Sequence, residues 1–127
     1  MAVVGTAQVL IDDVRNLVMQ FSGTCDGEGD EDSVVKVDVS ELLPSASRVK
    51  IVELEGGVNY GVLKLLWDGP HESPVEFLAL EGNVESEYRN YGGLNNKVEG
   101  SSGDILFSTE GFQAGSNYNL IMTMVKK

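Results

Sequence analysis

The sequence has few of the residues on which disulfides and side-chain catalysis depend. Cys25 is its single cysteine, so no internal disulfide can form. Cysteine usage therefore indicates neither an oxidising nor a reducing compartment. Its single histidine, His71, lies between two prolines in WDGPHESP, where we expect a solvated turn. Catalysis by such side chains needs a nucleophile and a base that converge in space. Neither Cys25 nor His71 has a partner at a sequence spacing typical of a catalytic motif. We therefore expect a protein that is not an enzyme.

Positive charge is also scarce. Nine basic residues stand against 20 acidic ones, and the net charge is −11. Nucleic acids and anionic membranes bind clustered Lys and Arg, so both are excluded as expected partners. Long apolar runs are missing: no window approaches the roughly 18 residues of a membrane span. The start, MAVVGTAQVL, lacks the basic region of a signal peptide, so we expect synthesis in the cytoplasm.

What the chain does contain is short segments in which apolar residues alternate, a period that predicts strands. These segments are 14–21, 34–39, 48–55, 61–68, 74–82, 104–109 and 117–126. Gly, Asn, Asp and Ser separate them, which is typical of all-β proteins. The sequence predicts one domain over 1–127, an antiparallel β-sandwich or jelly-roll-like barrel of seven or eight strands. Residues 1–11 are interpreted as an N-terminal arm or a first strand.

The alternation also predicts which side chains are buried and where a strand is irregular. The loss of phase at Ile51 and Val52 indicates a β-bulge or a strand apolar on both faces. Ser40 is predicted to cap a single helical turn that Pro44 ends. The residues expected in the core are Val35, Val37, Val39, Leu63, Leu65, Trp67, Tyr118, Leu120, Met122 and Met124.

Two strands carry apolar residues on their second face as well, namely Val62 and Leu66 on one and Ile121 and Val125 on the other. Either loops of the same chain or a neighbouring subunit would cover them.

The glycine-rich stretch 90–107 invites a phosphate-binding hypothesis, which its residues do not support. Lys97 is preceded by asparagine and followed by valine, whereas a Walker loop requires G-K-[ST] leading into a helix. A dinucleotide-binding G-x-G-x-x-G within a βαβ unit is also absent. The glycines are predicted to supply positive φ angles instead, at Gly92, Gly93, Gly100 and Gly103.

The acidic run 26–32 has part of a calcium-loop pattern. Asp26, Glu28 and Asp30 match the first three ligand positions of an EF-hand loop. Glu31 stands where glycine is required, and Val37 stands where a bidentate glutamate belongs. We expect a solvated loop and no cofactor, with these three carboxylates as the only candidate metal ligands.

Five segments occur in an order that resembles a known family. They are IDDVRNLVMQFSGTCDGEGDED (11–32), VVKVDVSELLP (34–44), LLWDG (65–69), YGGLNNK (91–97) and GDILFSTEGFQAGSNYNLIMTMVKK (103–127). Together they resemble small virion structural proteins of tailed bacteriophages, especially cyanobacterial and marine ones. Asp13 stands where that pattern commonly has glycine, and Tyr91 where it frequently has phenylalanine.

The resemblance implies a non-enzymatic phage structural protein located in the virion and made in the host cytoplasm. Within that class we expect a capsid decoration, or cement, protein that binds the major capsid protein and forms a homo-oligomer, with a trimer favoured. The uncharged start suits pairing with a neighbouring sheet, through Val3, Val4, Val9 and Leu10. The alternatives are a tail or neck component, a receptor-binding domain of the virion, and a carbohydrate-binding module with Tyr60, Tyr88 and Tyr91 as aromatic candidates.

Overall fold

The computed structural model describes residues 3–25, 33–42, 48–70 and 73–126, and within them the fold is all-β. Every strand pair is antiparallel, and the sheet curls into a nearly closed barrel. Both observations confirm the predicted fold class. The strands are β1 (Val3–Asp12), β2 (Asn16–Cys25), β3 (Val34–Val37), β4 (Val49–Trp67), β5 (Val75–Glu87), β6 (Ile105–Glu110) and β7 (Asn117–Lys126).

The strand order is β1-β2-β7-β4-β6-β3, and β5 pairs with β4 outside this path. β4 is 19 residues long and belongs to both halves of the sheet. Residues 49–59 pair with β7, whereas residues 62–67 pair with β6. Along the opposite edge of β4, β5 pairs with both of these parts. The chain therefore closes a core by bending one long strand instead of linking two separate sheets.

The bend in β4 depends on glycine. Gly56 has a φ of +150°, and a Cβ at this position would overlap the carbonyl oxygen of Asn119 on β7. At Gly61, a Cβ would overlap the ring of Phe112. Gly56 lies within the part of β4 that pairs with β7, and Gly61 lies between that part and the part that pairs with β6. At both positions the absence of a side chain lets a neighbouring segment approach β4 closely.

Aromatic rings join the two halves across the core. Phe21 on β2 lies 4.9 Å from Phe107 on β6, measured between ring centroids. Phe107 also meets the edge of Tyr118 on β7 at 5.9 Å. Trp67 is 4% exposed and stacks on Phe77 at 4.0 Å, so it is a core residue. The predicted core residues on β4 and β7 are all buried, which confirms the two-residue period there.

β3 differs from its prediction because it contains a bulge. Its register shifts between Val35 and Val37, so the two residues face opposite sides instead of sharing one. Val37 is buried against the core, but Val35 is 49% exposed, which corrects the expectation that both point inward. The irregularity expected near Ile51 and Val52 is confirmed: the β4–β7 register shifts there and both side chains are buried.

The single helical turn is also confirmed, with a different cap. It is a 3-10 helix over Val39–Glu41, and Asp38 rather than Ser40 is its N-cap. The Asp38 carboxylate accepts hydrogen bonds from both the backbone N–H and the hydroxyl of Ser40. Ser40 is thus a donor to the cap, because the turn begins two residues earlier than the sequence pattern suggested.

Asp13 shapes the tight turn between β1 and β2. Its carboxylate accepts the backbone N–H groups of Asn16 at 2.7 Å and Arg15 at 3.0 Å. These bonds, with that of Asn16 contributing most, hold the pKa of the Asp13 carboxyl below its ordinary value of 3.8. Asp13 therefore stabilises the turn through its side-chain acceptor, at a position where the family that the sequence resembles commonly has glycine.

Replacing Gly56 and its neighbour tests the bend. We expect Gly56→Ala to destabilise the fold by about 2–4 kcal/mol, because the new methyl group meets backbone that cannot move alone. Gly57→Ala is the matched control, since its Cβ would approach nothing closer than 3.5 Å. Urea unfolding of both variants measures the difference, and equal losses would contradict the role given to Gly56.

The turn at Asp13 predicts a pH dependence. Because the folded-state pKa is depressed, its stabilisation is present above the unfolded value of 3.8 and is lost as pH falls through the folded pKa. We expect the melting temperature of Asp13→Ala to lie below that of the wild type at neutral pH, and the gap to shrink below that value. Asp13→Asn keeps an acceptor oxygen without the charge, so the difference between its melting temperature and that of Asp13→Ala should not depend on pH. A wild-type advantage over Asp13→Ala that grew in acid would refute this account.

Candidate functional site

Strand β1 places the residues predicted to bind a partner at one end of the sheet. Among the described residues, β1 pairs with β2 alone, so it is an edge strand. Val3 and Val4 lie opposite Cys25 and Thr24 in this ladder. Further along, Val9 is 49% exposed and Leu10 is 45% exposed. The segment interpreted as an arm or a first strand is thus a strand of the chain's own sheet.

The inner side of β1 borders a groove of about 440 Å³. One wall holds Ala7, Val9 and Met19 from β1 and β2. The other holds Val35 and Leu42 together with the charged residues Lys36, Asp38 and Glu41. Val9 lies opposite the buried Met19 in the ladder, so it faces the core side of the sheet but remains half uncovered. The groove is the gap between the two end strands, β1 and β3, and it is the reason that the barrel is nearly rather than fully closed.

An ion pair lies at the end of this groove that Asp12 lines. Asp12, at the end of β1, contacts the ammonium group of Lys126 on β7, and the Lys126 side chain is only 4% exposed. The Lys126 backbone N–H also donates to the carbonyl of Arg15 at 2.7 Å. Asp12 thus has a counter-charge within its own chain, and the groove presents apolar side chains beside the charged residues of its other wall.

A second surface is defined by four glutamates on the outer face of β4 and β5, which we name the acidic patch: Glu53, Glu55, Glu85 and Glu87. In the ladder, Glu53 lies opposite Glu87 and Glu55 lies opposite Glu85. Arg89 contacts the first pair, at 2.6 Å to Glu87 and 3.6 Å to Glu53. Like charges that face each other across a ladder are destabilising, so this arrangement favours a positively charged partner.

Elsewhere on β4 a cation and its neighbouring acids neutralise one another. Lys64 lies 2.5 Å from Glu110 and 3.5 Å from Glu76. The hydrogen bond with Glu110, followed by the charges of both acids, raises the pKa of the Lys64 ammonium above its ordinary value. Lys64 is therefore a charged contact that joins β4 to Glu76 on β5 and Glu110 on β6.

The exposed tyrosines do not form a common platform. Tyr60 is 80% exposed at the bend of β4, and Tyr91 is 83% exposed in a 3-10 helix that follows β5. Residues near Tyr91 pair with Ile51, nine positions before Tyr60 on β4. The two tyrosines therefore lie beside different parts of β4. Tyr88 packs partly buried against the core instead.

Tyr60 has a feature that the sequence analysis missed. Its φ of +58° is left-handed, a conformation that is uncommon outside glycine. The buried hydroxyl of Ser116 donates to the Tyr60 carbonyl at 2.8 Å and fixes this backbone. The signal in the sequence is the neighbouring pair of Asn59 and Gly61, which marks a bend inside an otherwise apolar strand.

Hydrogen bonds within the glycine-rich stretch, and from Arg48 to it, hold its polar groups. Gly92, Gly93, Gly100 and Gly103 all have positive φ angles, as predicted. The Arg48 guanidinium donates to the carbonyls of Asn96 and Val98 and so holds the loop to the start of β4. The buried Asn96 amide donates to Ser101 at 2.9 Å. These bonds determine the shape of the loop.

The motifs that carry the family resemblance meet in space. The backbone N–H of Asp68, from LLWDG, donates to the carbonyl of Asp104, from GDILF, at 3.1 Å. The Asp104 carboxylate accepts the N–H of Val39, from KVDVS, at 3.0 Å. The Asp68 carboxylate accepts the N–H of Ser102 at 3.3 Å. These carboxylates cap backbone groups, so the motif residues encode the connection between strands.

The remaining sequence candidates have limited structural support. Asp26, Glu28, Asp30 and His71 lie outside the described residues. Cys25 is 1% exposed, which is typical of a structural thiol. Within the described ranges, no group of three or more His, Cys, Asp or Glu side chains is placed to hold a metal ion. No helix in the described part of the chain is long and apolar enough to cross a membrane.

Comparison with known proteins adds no assignment. No protein-family model matches the chain, and no curated protein matches it. The candidate surfaces, the β1 edge with its groove and the acidic patch, therefore rest on the geometry of this chain alone.

Proposed function

We propose that the protein is a structural component of a tailed-phage virion and decorates the outer face of the head by binding the major capsid protein. The observation that carries this proposal is the ordered set of motifs from residue 11 to residue 127, which resembles small phage virion proteins. The structural use of those motifs supports it, since the carboxylates of Asp68 and Asp104 cap backbone N–H groups of the same chain.

The acidic patch is the surface that we assign to the capsid contact. The described structure keeps Glu55 and Glu85 opposite each other on an exposed face, at a cost to its own stability. A basic region on the shell would offset that repulsion, and the net charge of −11 would draw the protein toward it. Attachment through such charges weakens as salt rises, because exposed charges are screened.

Many copies are needed for such a contact to hold. Each contact is weak when charges remain partly hydrated, but contacts summed over a lattice give stable attachment. The same proposal has the copies cluster in threes on the head. A tail, neck or receptor-binding role would instead require few copies per particle. A glycan-binding role lacks support from the tyrosines, because Tyr60 and Tyr91 lie beside different parts of β4.

Imaging of labelled protein tests the location. Purified, gold-tagged protein is mixed with phage particles that carry their decoration and with particles from which it has been stripped. We expect regular labelling over stripped heads and little on decorated ones, with a copy number comparable to that of the major capsid protein. Labelling restricted to the tail would replace the proposal with the tail alternative, and no labelling would overturn it.

A charge substitution tests the surface. We expect Glu55→Gln combined with Glu85→Gln to reduce head binding several-fold at low salt and to flatten its salt dependence. The same change removes a like-charge pair, so stability should rise by about 0.2–1 kcal/mol.

The control changes the same amount of charge outside the acidic patch, at Glu81→Gln combined with Glu99→Gln, both exposed. Equal loss of binding in the two double variants would show that net charge, and not the acidic patch, controls attachment.

A further inference from the structure

Charge is distributed unevenly over the sheet. Charged residues make up 23% of the chain, yet none occurs in residues 3–11 of β1, 16–25 of β2 or 117–125 of β7. These three strands are consecutive neighbours at one end of the sheet, and β1 is the last of them. The acidic patch lies beyond them, on β4 and β5. These three strands are thus uncharged between their ends, whereas Asp12, Asp13, Arg15 and Lys126 lie where the strands turn or end.

The two end strands are protected to different degrees against pairing with another chain. β3 is four residues long, contains a bulge and carries Lys36, three features that block edge-to-edge association. β1 is ten residues long and has neither proline nor lysine. Its one register shift lies between Val9 and Ile11, so Val3–Val9 form a regular ladder with β2. Every second residue of that stretch directs its backbone N–H and C=O away from β2.

The side chains of this stretch would also gain from a neighbour. Ala7 and Val9 face the core side of the sheet but are exposed, Val9 to 49%. The groove of about 440 Å³ beside β1 leaves room for another strand. A strand added at this edge would lie over the groove and cover both side chains, which continues the apolar layer formed by Met19 and Phe21.

We propose that the occupant of this edge is the β1 strand of a second copy, paired antiparallel about a two-fold axis. An antiparallel edge is its own complement, so one surface serves both copies. Charge is compatible with the same partner: two chains of net charge −11 repel, but neither β1 strand carries a charge between residues 3 and 11, so the paired stretch itself brings no like charges together. The two β1 strands then form the centre of one sheet that runs through both molecules.

This contact is small and self-contained. It buries a single strand edge and a few apolar side chains, so the dimer dissociates on dilution. It is separate from the head contact through the acidic patch and from the clustering in threes on the lattice. The solution dimer and head binding are measured in different experiments, so either proposal can fail without the other.

Sedimentation of the purified protein over about a hundredfold range of concentration tests the dimer. We expect a monomer–dimer equilibrium that Val9→Lys weakens by at least about tenfold, since a charge on an edge strand's inner face opposes pairing. Val75→Lys is the matched control: it adds the same charge at a valine of β5 that is 44% exposed and lies away from the groove. It should leave the dimer intact, and melting curves verify that both variants fold.

Hydrogen exchange of the wild type gives a second readout that needs no variant. Alternate amides within residues 4–9 should exchange faster on dilution, whereas those of β3 should not change. A protein that stays monomeric at high concentration overturns the proposal. So does a trimer, or a dimer that both lysine variants weaken equally, because either would place the contact on another surface.

Discussion

The structure depends on the bend of β4. A single strand of 19 residues contributes to both halves of the barrel, and it does so because Gly56 and Gly61 leave space where β7 and β6 cross it. The bend brings Phe21 and Tyr118 on one half against Phe107 on the other, which closes the core. It also places β1 and β3 at the two borders of one gap. The position of the uncovered edge follows from the path of β4.

The path of β4 also separates the charged surface of the molecule from its apolar surface. β5 runs beside β4 and brings Glu85 and Glu87 next to Glu55 and Glu53, whereas β7 and β2 extend the other side of β4 without a charged residue up to their ends. One surface is therefore suited to a basic partner and the other to an uncharged strand. Two surfaces of different chemistry let one small domain make two contacts that do not compete.

The sequence predicts much of this fold because its strongest signals are local. Alternation on β7 identifies Tyr118, Leu120 and Met122 as core residues, and the phase break at Ile51 and Val52 marks a real bulge. Val35 was assigned to the wrong face because the bulge in β3 depends on its pairing with β6, which alternation within one segment does not contain. The acidic patch was missed for the same reason: Glu55 and Glu85 are 30 positions apart and meet only through the β4–β5 register. Alternation within one segment predicts which face of a strand a side chain takes, whereas the pairing of distant strands determines which side chains share a surface.

Both proposed contact surfaces carry features that a protein selected only for stability would lose. Opposed glutamates cost a few tenths of a kcal/mol, and one lysine would suffice to protect the β1 edge, as Lys36 does on β3. Neither feature adds stability to the fold. The proposed repeated weak contacts would give a use to both. A protein bound in many copies to a lattice gains attachment from the sum of its contacts, so each surface remains modest in affinity and imperfect in isolation.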